Sequence, residues 1–227
     1  MMKKTGLDRW CHRAWIKVMC GIAAVMTLLI LANWQNWCQG LKCIGAMAVL
    51  LPLHVIEEWL FPGGFHFQYN TFLQRSKLPD WYPMNRLSDM ITNLGTTVMY
   101  AVIALICAAR GGEVHPGLLL GSTIFCGLEV FAHTAMGTAA YFRFRSSGKT
   151  TIYGPGSVTA YTGFAVLGVI MFYELQTTAL TGRDWLAAAL LIAAIGIGFV
   201  LIPESTLKTK STAYYFENNG YYDRFPK

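Results

Sequence analysis

Residues 45–60 read GAMAVLLPLHVIEEWL. Between Ile44 and Leu60 the only ionisable side chains are His54, Glu57 and Glu58, gathered near the end of an otherwise apolar helix. Residues at i, i+3 and i+4 share one helical face. His54 and Glu58 therefore stand about 40° apart, with Glu57 about 60° to the other side of His54, and all three can point at one spot. In a bilayer that grouping is expensive, at roughly 2.5–3.5 kcal/mol for each ionisable group near mid-membrane. The segment reads as a transmembrane helix with a functional site at one end.

Composition supports the membrane. Of 227 residues, 54% are hydrophobic and only 13% charged, with a mean hydropathy of +0.40; a soluble domain carries about a quarter charged residues. The six cysteines show neither CxxC nor ribbon spacing, which argues against a zinc finger. Most lie in apolar runs, where they act as small hydrophobes. Cys38 and Cys43 flank a short turn and are the one pair placed to bridge. The net charge of +6 comes from separate loops rather than a basic stripe with aromatics between, so no nucleic-acid partner is expected.

Outward from the central helix, the chain divides into six spans, at about 18–33, 41–60, 87–109, 116–140, 155–178 and 185–202, each near the 20 residues that cross a hydrocarbon core. The head holds Lys3, Lys4, Arg9, Arg13 and Lys17. No small-residue cleavage pair follows the first apolar run, and Asn33-Trp34-Gln35-Asn36-Trp37 reads as an interfacial belt, so the first span is expected to stay uncleaved. Phe61 to Arg86 is a long aromatic connection suited to the headgroup level. With the N-terminus inside, fifteen of the 18 lysines and arginines fall on the cytoplasmic side, Lys77, Arg143, Lys210 and Lys227 among them. Only Lys42, Arg110 and Arg183 lie opposite. That bias predicts an all-α, six-span bundle in one membrane domain, both termini cytoplasmic. The cell inner membrane is the expected location, and residues 204–227 are expected to form a mobile or surface-hugging tail.

Topology assigns depths at 1.5 Å per residue. Glu58 and Asp89 lie about 3 Å inside the cytoplasmic boundary, His54 and Asn93 about 9 Å, His133 about 10 Å and Glu129 about 16 Å. Imidazoles and carboxylates converging from separate helices form a ligand set for zinc or iron. The expected metal ligands are His54, Glu58, Glu129 and His133, with Glu57 or Glu58 as base and Asn93 orienting a ligand. Span five enters the same layer through Gly154-Pro155-Gly156-Ser157-Val158-Thr159, leaving backbone donors and hydroxyls available; Asp89, Gly156 and Thr159 are the expected substrate contacts.

Plainer roles compete. The His54 group is also consistent with a capped helix end and snorkelling carboxylates, Asp89 with an interfacial residue, and Asn93 with an interhelical hydrogen bond. His12, His66 and His115 are expected to be solvated, and Glu174 and Glu204 interfacial. Gly163, Gly168, Gly196 and Gly198 are expected to permit close helix contacts, within the bundle or between copies.

The motif His54-Val55-Ile56-Glu57-Glu58, together with Tyr153-Gly154-Pro155-Gly156-Ser157-Val158-Thr159-Ala160, resembles the bacterial membrane proteins named for their HXXEE motif. The resemblance runs from span two to span five and implies a membrane site but no particular reaction. The leading expectation is an intramembrane enzyme acting on a lipid or other lipophilic molecule, dependent on a divalent metal, hydrolytic or oxidative. Two alternatives stand beside it. One is a metal-free acid/base isomerase, similar to the membrane sterol isomerases, that keeps one carboxyl protonated. The other is a proton-coupled transporter or lipid-binding protein.

Overall fold

The computed structural model describes residues 6–208 and 213–225, apart from the side chain of Asp8. Lys3, Lys4, Lys210 and Lys227 lie outside the described residues. Six helices are long and apolar enough to cross a membrane: Trp10–Ala32, Gln39–Trp59, Arg86–Ala109, Pro116–Ser147, Ser157–Leu175 and Gly182–Thr206, called spans one to six. Among the described residues there is no strand.

Span two is the axis of the bundle. Its apolar window is 61% buried, against 17–39% for the other five. Leu41, Ile44, Met47, Ala48 and Leu51 recur at helical spacing and pack against Tyr100, Phe125, Cys126, Phe164 and Met171. Lipid tails are as apolar as leucine, so such contacts hold a membrane bundle by close packing rather than by transfer from water. Close packing in turn needs small residues. Gly163 lies against Leu50, and Gly168 against Cys126. Gly196 and Gly198 have no neighbour where a side chain would stand, so within one chain they make no close helix contact.

Span one begins earlier than expected. Cys11, Trp15 and Met19 are each fully buried, four residues apart, so the head is helical from Gly6 onward and turns one apolar stripe inward while Arg9, Arg13 and Lys17 share the same turns. Span four runs to Ser147 instead of 140, and at 1.5 Å per residue its 32 residues exceed a hydrocarbon core. Cys38 and Cys43 are both free thiols; the Cys38 sulfur lies 3.1 Å from the Gly112 carbonyl and accepts from the Leu41 amide at 3.4 Å.

At one end of the bundle three connections interlock: residues 60–85, residues 148–156 and residues 213–225. The last of these, expected as a mobile or surface-hugging tail, is a fitted piece with buried side chains. Tyr222 and Phe225 are buried, the Phe225 and Phe144 rings stack at 5.1 Å, and the Arg86 amide donates to the Tyr214 carbonyl at 2.8 Å. Tyr221 donates its amide to Gly63 at 3.0 Å, and a Cβ on Gly64 or Gly220, both at positive φ, would run into the opposing backbone. The buried Lys149 reaches the Tyr153 carbonyl and the Tyr221 hydroxyl and lies 4.6 Å from the Tyr221 ring centre.

Candidate metal centre

The last two turns of span two send neighbouring carboxylates in different directions, because adjacent residues are 100° apart on a helix. Glu57 faces the start of span five. Its carboxylate accepts from the amides of Val158 (3.0 Å) and Thr159 (2.9 Å), from the Thr159 hydroxyl (2.7 Å) and from the Tyr153 hydroxyl (3.3 Å). A carboxylate at a helix start satisfies orphan amides and meets the positive end of the dipole. Burial and the Glu57 charge push the Tyr153 hydroxyl well above the usual phenol range, so it remains a donor. Glu57, expected to act beside Glu58, is thus committed to positioning span five.

His54 and Glu58 face inward, where span four brings His133 and Glu129, one turn apart. The His54 Nε2 atom lies 3.2 Å from Glu58 Oε1 and 3.2 Å from His133 Nε2, and His133 Nε2 lies 3.5 Å from Glu58 Oε1. Glu129 Oε2 stands slightly farther off, 3.6 Å from His54 Nε2 and 3.7 Å from His133 Nε2. His54, Glu58 and His133 are buried and offer ligand atoms that can hold a metal ion.

The orientation of His54 follows from its other nitrogen. Nδ1 lies 2.7 Å from the Thr159 hydroxyl, whose single proton goes to Glu57 at 2.7 Å. The hydroxyl must therefore accept from Nδ1–H, a tautomer assigned by this network, and Nε2 keeps its lone pair for the centre. Such a relay from ligand to carboxylate is how metal-binding imidazoles are usually fixed. His133 Nδ1 is buried and finds no hydrogen-bond partner among the described residues; its ring is held by packing, 5.3 Å from Phe65. Gly156, at φ 87°, passes so close that a Cβ would strike both imidazoles. Thr159 thus supports His54 at the nitrogen turned from the centre, while Gly156 packs against the Cε1–Nε2 edge of His133 and Cε1 of His54.

Asp89 and Asn93 come from span three and line the same cavity, of about 140 Å³. Asp89 is 2% exposed and accepts from Trp59 Nε1 at 2.5 Å and from the Asn93 amide at 2.8 Å. They form a second polar patch across the cavity. Three further residues bear on it. Phe65 and Tyr69 of the aromatic connection line it, and the Tyr69 hydroxyl donates to Glu204 at 3.2 Å. Glu204, expected to be interfacial, is 5% exposed because span six ends over that connection. His66, expected to be solvated, is also buried, stacked at 3.7 Å on Phe216. The density of aromatics around His66 and Gln68 was the available signal for a packed cap. Tyr153 was visible only as part of the second motif.

Residues 45–171 match the model of a family described as a protein of unknown function with HXXEE motif. The chain belongs to the HXXEE family. The matched region holds every residue of the His/Glu centre, the Asp89–Asn93 patch and the Gly156–Thr159 support, so the HXXEE glutamates divide their work: Glu58 faces the centre and Glu57 the start of span five. Glu204 and residues 213–225, which complete the surroundings, lie beyond the match. No curated protein and no solved structure matches this HXXEE chain.

Proposed function

We propose that this protein is a zinc-dependent hydrolase embedded in the cell inner membrane, with its centre toward the cytoplasm, acting on a lipophilic substrate. One observation carries the proposal: His54 Nε2, His133 Nε2 and Glu58 Oε1 form a triangle with sides of 3.2, 3.2 and 3.5 Å. Bonds of about 2.0–2.1 Å to a tetrahedral zinc place ligand atoms about 3.3–3.4 Å apart, whereas cis ligands on an octahedral ion at that bond length stand about 2.8–3.0 Å apart. The triangle straddles the tetrahedral value. Three protein ligands with a fourth position free is the pattern of catalytic rather than structural zinc.

A zinc ion held by His54, Glu58 and His133 would supply a polarised water at neutral pH. Glu129, just beyond the triangle, accepts the proton as the water oxygen bonds to the carbonyl carbon of an ester. It returns the proton to the alcohol oxygen as the carbon–oxygen bond breaks, leaving an acid and an alcohol. Asp89 and Asn93 face the substrate from across the cavity and orient its polar group. The cytoplasmic placement is supported by charge: in the described structure Lys42, Arg110 and Arg183 are at the far end, and Arg75, Lys77, Arg143, Arg145, Lys149 and Arg224 at the end bearing the centre.

The test is elemental analysis of the purified protein, with one zinc per chain expected, absent from His54→Ala and His133→Ala. A folded preparation that binds no zinc on titration overturns the proposal. The short His54 to His133 separation also suits a proton shared between two nitrogens, so a metal-free but active preparation would favour acid/base isomerisation instead.

A further inference from the structure

The cavity beside the centre is too small to enclose a lipid. At about 140 Å³ it falls below the roughly 300–1,000 Å³ of pockets that bury most of a drug-sized ligand. It therefore accepts a polar group and the first few carbons of one chain, and the remainder must lie outside. The helices show where. Spans four and six touch closely far from the centre, where the Gly117 backbone meets Asp184 and Ala187 and Gly121 meets Ala188 and Leu191. Toward the centre span six leaves span four and leans on span three: Phe199 covers Gly95, and the Thr92 hydroxyl donates to the Phe199 carbonyl at 2.6 Å. The gap between them is bordered by Ala132 on one side and by Ile195 and Val200 on the other, with the exposed Leu73 as its sill. Glu129 faces it with 24% of its side chain accessible, against 1–4% for His54, Glu58 and His133.

The charge on the walls selects what enters. Glu58, Asp89 and Glu129 line the cavity, and no lysine or arginine does among the described residues. Counting a zinc ion at the centre, the three carboxylates still outnumber its two charges, and a phosphate or carboxylate brought into this low-dielectric space finds no lysine or arginine to pair with.

We propose that the gap between spans four and six is a lateral mouth opening on the bilayer, and that the substrate is an uncharged, single-chain lipid ester rather than an anionic lipid. The inference rests on the reading of the cavity as a reaction site. Its test uses the full chain in nanodiscs of zwitterionic phospholipid with two photoreactive probes that share one diazirine-bearing acyl chain. One is a monoacylglycerol, the other the corresponding lysophosphatidic acid. The neutral probe should label peptides containing Ala132, Ile195 and Val200 at least about tenfold more than the anionic one, and Ala132→Phe should suppress that labelling at unchanged zinc content and melting temperature. If Ala132→Phe fails to fold, Val200→Phe narrows the mouth from the other side and is read the same way. Equal labelling by the two probes, or neutral labelling confined to the groove of Leu31, Leu53 and Val166 on the opposite flank, overturns the inference. Zinc measured in the same sample separates the two proposals: bound zinc without labelling at the mouth refutes only the mouth, and labelling without zinc refutes only the metal centre.

Discussion

Replacing Thr159 by valine removes one oxygen and almost no volume, yet that oxygen joins two hydrogen bonds, each 2.7 Å long, between His54 Nδ1 and Glu57. The two consequences differ in size. Glu57 keeps three donors, the amides of Val158 and Thr159 and the Tyr153 hydroxyl, so span five retains its start and stability falls by about 1.5–3 kcal/mol, the worth of one hydrogen bond to a charged group. His54 loses its only fixed acceptor, and its ring is then free to turn or change tautomer. Loss of such an outer partner typically weakens metal affinity about 10–100-fold. Competition against chelators of graded strength should therefore show zinc binding about 10–100-fold weaker in Thr159→Val, at a modestly lower melting temperature, with Thr159→Ser close to the parent. A folded Thr159→Val that binds zinc as tightly as the parent refutes the assignment of His54 as a ligand oriented through this relay.

Gly156→Ala should lose zinc binding and stability together, because φ 87° costs a residue with a Cβ about 1–2 kcal/mol and the added methyl strikes both imidazoles; titration calorimetry beside a thermal melt reads both. Glu129→Gln should retain zinc within a few-fold and lose turnover of whichever ester the neutral-lipid probes identify, since it stands outside the ligand triangle. Ending the chain at residue 212 should lower the melting temperature in detergent, as it removes the buried Tyr222 and Phe225, at about 1.5–3 kcal/mol for each large apolar side chain.

The six spans were legible because each carries about 20 apolar residues, a signal that needs no tertiary information. The pairing of His54 with Glu58, and of Glu129 with His133, was legible because four residues is close to one helical turn. Helical spacing alone could not separate Glu57 from its neighbours. It stands within 60° of His54, and only the position of span five shows that its carboxylate turns to the amides of Val158 and Thr159. The start of span one was hidden for a related reason: Arg9, Arg13 and Lys17 lower the local hydropathy, while the stripe of Cys11, Trp15 and Met19 that buries those turns is only three residues wide. Residues 213–225 looked like a polar tail because their partners, Gly63, Gln68 and Phe144, lie far away in the chain.

The interlocking of Gly63 and Gly64 with Gly220 bears on how the protein is made. Trp59, at the base of the His/Glu centre, packs 5.2 Å from Phe216, so the segment that closes over this end is also the last described stretch to leave the ribosome. A nascent chain can insert all six helices while the surroundings of its centre are still open to solvent. Closure, and with it the exclusion of bulk solvent from around Glu58, waits until about residue 225 has cleared the exit tunnel.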